Sequence, residues 1–129
     1  QKEGASFLAK KRKEMEVLAH HIYEYNKGLR NLVLHTMSSA DREKAERKLK
    51  SNHIKYYIQE VSAKKINVFF GADECVEVIM RIVADKSLNE LTPAEDFILG
   101  TLLGYDKKQQ CSRLLKKLQN EELPKMRIA

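Results

Sequence analysis

Four histidines are the residues of this sequence best suited to metal or acid–base chemistry: His20, His21, His35 and His53. Imidazole titrates near neutral pH and ligates zinc and iron. The adjacent pair, His20 and His21, cannot serve one local site, because neighbouring side chains point apart on a helix and lie on opposite faces of a strand. The HExxH metal motif is also missing. We therefore interpret the histidines as surface or structural residues and expect no metal and no cofactor.

The other reactive residue types lack catalytic context. Ser38 and Ser39 do not lie in a GxSxG motif, and no glycine-rich phosphate-binding motif surrounds Gly71. Cys75 and Cys111 form no CxxC pair, and we interpret both as buried, reduced thiols on apolar helix faces. These observations predict a protein that is not an enzyme.

Basic residues give the chain a formal net charge of +6, and they are concentrated in two segments. Residues 1–14 contain five lysines and arginines and two glutamates, so this segment carries a net charge of +3, which is half of the total. We interpret them as a basic tail, an added remnant or the fraying start of a helix. The second segment is the outer face of the last predicted helix, which is either a solvated face or a surface for an acidic partner. Its residues are Lys107, Lys108, Arg113, Lys116 and Lys117.

The N-terminal half of the predicted domain, which spans residues 15–129, combines helices with one strand. From Met15 the apolar residues recur at spacings of three and four, which predicts a helix that stops near Gly28. Alternation in the same segment also allows a β-hairpin. Residues 32–37 are typical of a strand, and residues 40–51 of a largely exposed helix.

The C-terminal half predicts two strands and three helices. Residues 54–61 and 66–70 alternate as a hairpin of strands. A helix with an apolar face opens at Asp73, and Thr92-Pro93-Ala94-Glu95 is a strong start signal for the next helix. The last helix is predicted to bury Cys111, Leu114, Leu115 and Leu118. We therefore expect an α+β fold, in which a small three-stranded sheet is covered by about five helices and the chain ends in a C-terminal helical hairpin.

The apolar stretches of the sequence are too short to cross a bilayer, which needs about 20 residues. No export signal is visible after the basic run at residues 10–13. We expect a cytoplasmic protein with no membrane partner.

Three segments resemble a known family: HHIYEYNKGLR at residues 20–30, KINVFFG at residues 65–71, and EDFILG at residues 95–100, continuing to Tyr105-Asp106. They are similar to a small bacterial family of unknown function that is often encoded beside a flavodoxin, and the resemblance covers residues 15–118. It implies three strands, five helices and a homodimer, and it offers no catalytic residues. If the sheet is covered on one side only, Tyr56 or Tyr57 would be exposed and would mark a dimer or partner surface, which also motivates an oligomer hypothesis.

Three functions remain open from the sequence. The leading hypothesis is a non-enzymatic accessory or interaction protein that binds an acidic redox partner such as a flavodoxin through the basic face of the last helix. The second is a small-molecule or anion binder, in which four polar groups converge: His21, Arg30, His35 and Tyr105. Nucleic-acid binding through the C-terminal hairpin is the least favoured, because half of the basic excess lies outside the predicted domain.

Overall fold

The computed structural model describes residues 2–120 of the chain, with side chains from Ser6 onward. Within these residues it contains five α-helices and a three-stranded antiparallel sheet, which confirms the predicted α+β fold. In chain order the elements are α1 Lys2–Asn26, β1 Leu32–Ser38, α2 Arg42–Ser51, β2 Lys55–Glu60, β3 Lys65–Gly71, α3 Asp73–Val83, α4 Pro93–Leu102 and α5 Lys107–Asn120. None of the helices in this part of the chain has the length and apolar character that a membrane span requires.

The sheet has the order β1-β3-β2, so that β3 is central and pairs antiparallel with both neighbours. One face, with Val68 and Phe70, packs against α1 and α2, while the other face, with Phe69, packs against α3 and α4. Tyr56 contacts the first core and Tyr57 the second, and both are partly buried. The sheet is therefore covered on both sides, and neither tyrosine provides the exposed ring that a one-sided sheet would offer.

Helix α1 begins at Lys2, well before the predicted start at Met15. Residues 2–14 therefore form the first half of a helix, as one of the three sequence interpretations held, and do not form a separate tail. The hairpin alternative is excluded for the second half, where Leu18 and Ile22 are buried in the first core. Residues 121–129, the end of the predicted domain, lie outside the described part of the chain.

The C-terminal hairpin confirms the predicted start of α4 and corrects the buried face of α5. The Glu95 amide donates to Thr92 Oγ1 at 3.2 Å, and the Thr92 amide donates to Glu95 Oε1 at 2.9 Å, so the capping box is complete. On α5, Gln110 and Leu114 are buried, whereas Cys111 is exposed and the predicted burial of Leu115 is wrong.

The physical reason for the rotation of α5 lies in its contact with α4. One residue along a helix corresponds to about 100° of rotation, so a face centred on residue 110 excludes residue 111. Gly100 of α4 has no Cβ and admits the side chain of Gln110, while Asp96 of α4 pairs with Arg113. Both contacts favour the same rotation of α5 about its axis, and this rotation leaves Leu115 of the predicted apolar face exposed.

Candidate functional site

Three of the four predicted ligand-binding residues meet where α1 packs on β1. The His21 and His35 rings lie edge to face with their centroids 5.7 Å apart. Arg30 Nη1 donates to His21 Nδ1 at 3.1 Å, and Glu24 Oε1 lies 3.2 Å from the same nitrogen. The sequence thus named three residues that do lie together, although the spacing of these residues along the chain did not predict how their side chains are arranged. Tyr105 lies apart, beside the α4–α5 hairpin.

His35 is the buried member of this cluster, with 7% of its surface exposed. Burial, followed by the neighbouring His21, lowers the pKa of His35, and contact with Glu14 opposes that shift. Among the described residues, its Nε2 has no hydrogen-bond partner. The same residues contain no group of three or more metal-ligating side chains. The groove described below is lined by other residues, so this cluster joins α1 to β1 and does not form a cleft.

The basic residues of α5 are partly neutralised within the molecule. Arg113 donates from Nε to Asp96 Oδ2 at 2.8 Å and from Nη2 to Asp96 Oδ1 at 3.1 Å, and Lys117 Nζ lies 3.3 Å from Asp96 Oδ1. The hydrogen bond from Arg113 lowers the pKa of Asp96, as do the charges of both cations. Lys107, Lys108 and Lys116 are exposed. Only these three of the five predicted partner-surface residues remain outside the Asp96 ion pairs.

A larger set of basic side chains surrounds a groove between the first half of α1 and the β2–β3 turn. This basic groove has a volume of about 390 Å³. Its lining consists of Phe7, Lys10, Lys11, Glu14, Ser38, Ser39, Ala40, Ala63, Lys64 and Lys65. The lining therefore contains four lysines and one carboxylate, together with an aromatic ring and two alanines.

Hydrogen bonds to backbone groups fix the shape of the basic groove. The Ser39 amide donates to the Lys64 carbonyl at 2.9 Å, and Ser39 Oγ donates to the Ala63 carbonyl at 3.0 Å. These contacts tie the β2–β3 turn to the end of β1. Glu14 Oε2 accepts from the Ser38 amide at 3.0 Å, so the carboxylate in the groove already has a partner.

The lysines of the basic groove keep their charges available. Within the described residues, none of the four is within ion-pair distance of a carboxylate. Lys11 Nζ instead lies 4.6 Å from the centre of the Phe7 ring, a cation–π contact that leaves the charge accessible. Lys10, Lys64 and Lys65 are exposed.

Sequence reasoning missed this groove because it depends on two distant segments. Lys10 and Lys11 were set aside with the predicted tail, and Lys64 and Lys65 were treated as a hairpin turn. The signal that the sequence did contain was a pair of basic runs, at residues 10–13 and 64–65. Only the helical continuation of α1 and the position of the turn, both tertiary features, bring the two runs together.

Comparison with known proteins adds one positive finding. A family model described as protein of unknown function (DUF2023) matches residues 16–117. Among proteins with curated descriptions, none matches the chain.

Proposed function

We propose that this chain is a non-enzymatic accessory protein that docks an acidic redox protein such as a flavodoxin. The chain belongs to the DUF2023 family of proteins of unknown function. The observation that carries the proposal is the basic groove, where Lys10, Lys11, Lys64 and Lys65 converge. The resemblance to proteins encoded beside a flavodoxin supplies the class of partner.

The basic groove suits an acidic protein surface for two physical reasons. In the part of the chain that the structure describes, its lysines make no ion pair that binding would have to break, so each is available to attract a carboxylate and to accelerate the encounter. Its lining contains Phe7, Ala40 and Ala63, which can bury apolar surface of the partner. The α5 face is the weaker candidate, since Asp96 already occupies Arg113 and Lys117.

A titration with a flavodoxin tests the proposal and separates the two basic surfaces. We expect the double variant Lys10→Gln/Lys64→Gln to weaken binding about tenfold, because it removes two charges that meet partner carboxylates. The matched control is Lys108→Gln/Lys116→Gln, which removes the same charge from exposed positions on α5 and should change affinity by less than about twofold. Isothermal titration calorimetry of the full chain measures both.

Salt supplies the second arm of this experiment. Raising the salt from about 50 mM to about 300 mM should weaken binding of the unmodified chain by shortening the Debye length. Equal losses in the two double variants would assign docking to general charge, and a loss confined to the control would assign it to α5. Affinity that is independent of salt, or no binding at low salt, would contradict the proposal.

We also propose that the chain forms a homodimer through the outer face of α5. Cys111 and Leu115 lie one turn apart on that face, and Leu115 is 56% exposed although its helix neighbour Leu114 is buried. We expect Leu115→Lys to shift the chain toward the monomer, because a charge would enter an apolar contact. The control is Val78→Lys, since Val78 is an exposed apolar residue of α3, at 41%.

Sedimentation velocity at high micromolar concentration measures the association state of both variants. A dimer that persists in Leu115→Lys, or that dissociates equally in Val78→Lys, would place the interface elsewhere. An unmodified chain that sediments as a monomer would remove the homodimer altogether.

A further inference from the structure

His35 lies at the junction of α1 with β1, the strand whose end lines the basic groove. It precedes Ser38 on β1, and its ring packs against the His21 ring of α1 with a centroid distance of 5.7 Å. The backbone and the carboxylate of Glu14 also act on this ring. Glu14 and His21 are two turns apart on the same face of α1. The surroundings of His35 therefore depend on how closely α1 lies against β1.

Glu14 belongs both to this junction and to the basic groove. Its Oε2 accepts from the Ser38 amide at 3.0 Å, and both residues line the groove. The other α1 residues of the lining precede Glu14 by two turns at most, whereas the rest of the lining lies on the end of β1 and the β2–β3 turn. Separation of α1 from β1 at His35 would therefore part Lys10 and Lys11 from the other two lysines of the groove.

Protonation of His35 is unfavourable while this junction is closed. Its Nε2 is buried and has no hydrogen-bond partner among the described residues. Both nitrogens of a protonated imidazole carry a hydrogen, so Nε2 would then hold an N–H that no acceptor meets. Burying a charge without such a partner costs free energy. The ring therefore binds the proton more readily when α1 moves away and water reaches Nε2.

The charged and titratable groups around His35 do not remove this cost. They lie on α1 and the loop that follows it, and they are Glu14, His21, Glu24 and Arg30. The Glu14 carboxylate already accepts from a backbone amide, and the Glu24 carboxylate lies 3.2 Å from Nδ1 of His21. His21 becomes a second cation when it protonates. On the sheet side, β3 places the apolar Val68 opposite His35.

We propose that protonation of His35 opens the α1–β1 junction and divides the basic groove, so that docking of the acidic partner weakens as the pH falls below about 6.5. This regulation rests on the proposed function, since it acts on the same groove. Its direction is the opposite of what charge alone predicts. At lower pH the histidines become positive, so a groove of fixed shape would attract an acidic protein at least as strongly.

Hydrogen exchange of the unbound full chain, followed by NMR, tests the opening without any partner. The protection factor of the Ser38 amide, which is bonded across the junction to Glu14, should fall about tenfold between about pH 7.5 and about pH 5.5. The reason is that the open form binds a proton that the closed form does not. The control is the Leu103 amide at the end of α4 in the second core, which should keep its protection because the opening is local.

Two variants assign the change in exchange to one ring. His35→Leu should remove the pH dependence at Ser38, whereas His53→Asn, which alters an exposed histidine, should retain it. Unchanged protection of Ser38 in the unmodified chain would overturn the proposal, whether or not the variants fold. An equal loss at Leu103, or an equal pH dependence in His35→Leu, would also overturn it.

Titration calorimetry with a flavodoxin at the same two pH values, at constant ionic strength, measures the effect on docking. We expect the unmodified chain to bind about twofold to fivefold more weakly at the lower pH, which corresponds to about half to four-fifths of the chain being open. His35→Leu should bind at least as tightly at the lower pH. Because both chains meet the same partner, the titration of the partner itself cancels.

The two measurements separate failure of this regulation from failure of the docking. Docking that is equally strong at both pH values in the unmodified chain would overturn the regulation and leave the proposed function standing. No binding at either pH would contradict the docking itself, and the exchange of the Ser38 amide would still decide whether protonation of His35 opens the junction.

Discussion

Replacing Gly71 by alanine should lower the free energy of unfolding by at least about 3 kcal/mol, the largest effect that we expect from a single substitution in this chain. Gly71 has φ +149°, a conformation that side chains rarely adopt. A Cβ on this residue would lie 2.2 Å from the Asn31 carbonyl oxygen. That oxygen accepts from the Ala72 amide at 2.9 Å and cannot move without losing the bond.

The position of Gly71 in the sheet explains why a clash between an alanine Cβ and the Asn31 carbonyl should strongly reduce the free energy of unfolding. It is the last residue of the central strand and pairs with Leu32 of β1 and Lys55 of β2. The next residue precedes α3, so an outward shift of the backbone would disturb both strand pairs and the start of a helix. No flexible side chain is available to relieve the overlap, since the opposing atoms belong to the backbone.

Gly28→Ala is the matched control, because Gly28 has φ +77° and no atom lies within 4 Å of the position that the new methyl group would occupy. Gly28→Ala should therefore lower the free energy of unfolding only by the cost of holding alanine at a positive φ, about 1 kcal/mol. Urea unfolding followed by circular dichroism gives both values. If Gly71→Ala costs no more than Gly28→Ala, the close approach of Asn31 is not what requires glycine at residue 71.

Gly71 also illustrates which parts of the fold were readable from the sequence. Its role as the end of a strand was predicted, since periodicity and turn chemistry act over a few neighbouring residues. The contact that makes glycine necessary involves Asn31, which is distant along the chain. Local signals of the same kind identified Thr92 as a helix cap and predicted all three strands, with bounds that agree to within one or two residues.

The errors arose where tertiary contacts override local pattern. The apolar spacing of α5 placed Leu115 inside, but the fit of Gln110 against Gly100 rotates the helix and exposes it. The candidate sites show the same limit. His21, Arg30 and His35 were named and do converge. The basic groove was missed, because its two pairs of lysines lie far apart along the chain.

Acidification should destabilise the protein through His35, which gives the second large prediction. Burial and the neighbouring His21 lower the pKa of His35 below its ordinary value of 6.5, so the folded chain holds this ring neutral. The unfolded chain regains the ordinary value. As the pH falls below about 6.5, the unfolded chain therefore binds a proton that the folded chain does not, and the free energy of unfolding decreases until the lowered pKa is reached.

The slope of this loss is at most about 1.4 kcal/mol per pH unit for one group. Urea unfolding between about pH 8 and pH 5 measures it in a range set by the ordinary histidine value. The acidic groups whose pKa is lowered, Glu90, Glu95 and Asp96, have ordinary values of 4.5, 4.5 and 3.8. Their contributions to stability are lost only as the pH falls through their lowered pKa values, below the measured range.

His35→Leu should flatten the profile, because it removes the titrating ring and its unpartnered Nε2. The leucine keeps an apolar side chain on the face of β1 that carries Val33 and Met37 of the first core. His53→Asn is the control: His53 is exposed, and asparagine tolerates its φ of +57°. An unchanged slope in His35→Leu would mean that another group carries the acid sensitivity. A flattened slope with stability retained at pH 8 would identify the buried imidazole, at the junction of α1 and β1, as the group whose protonation opposes folding.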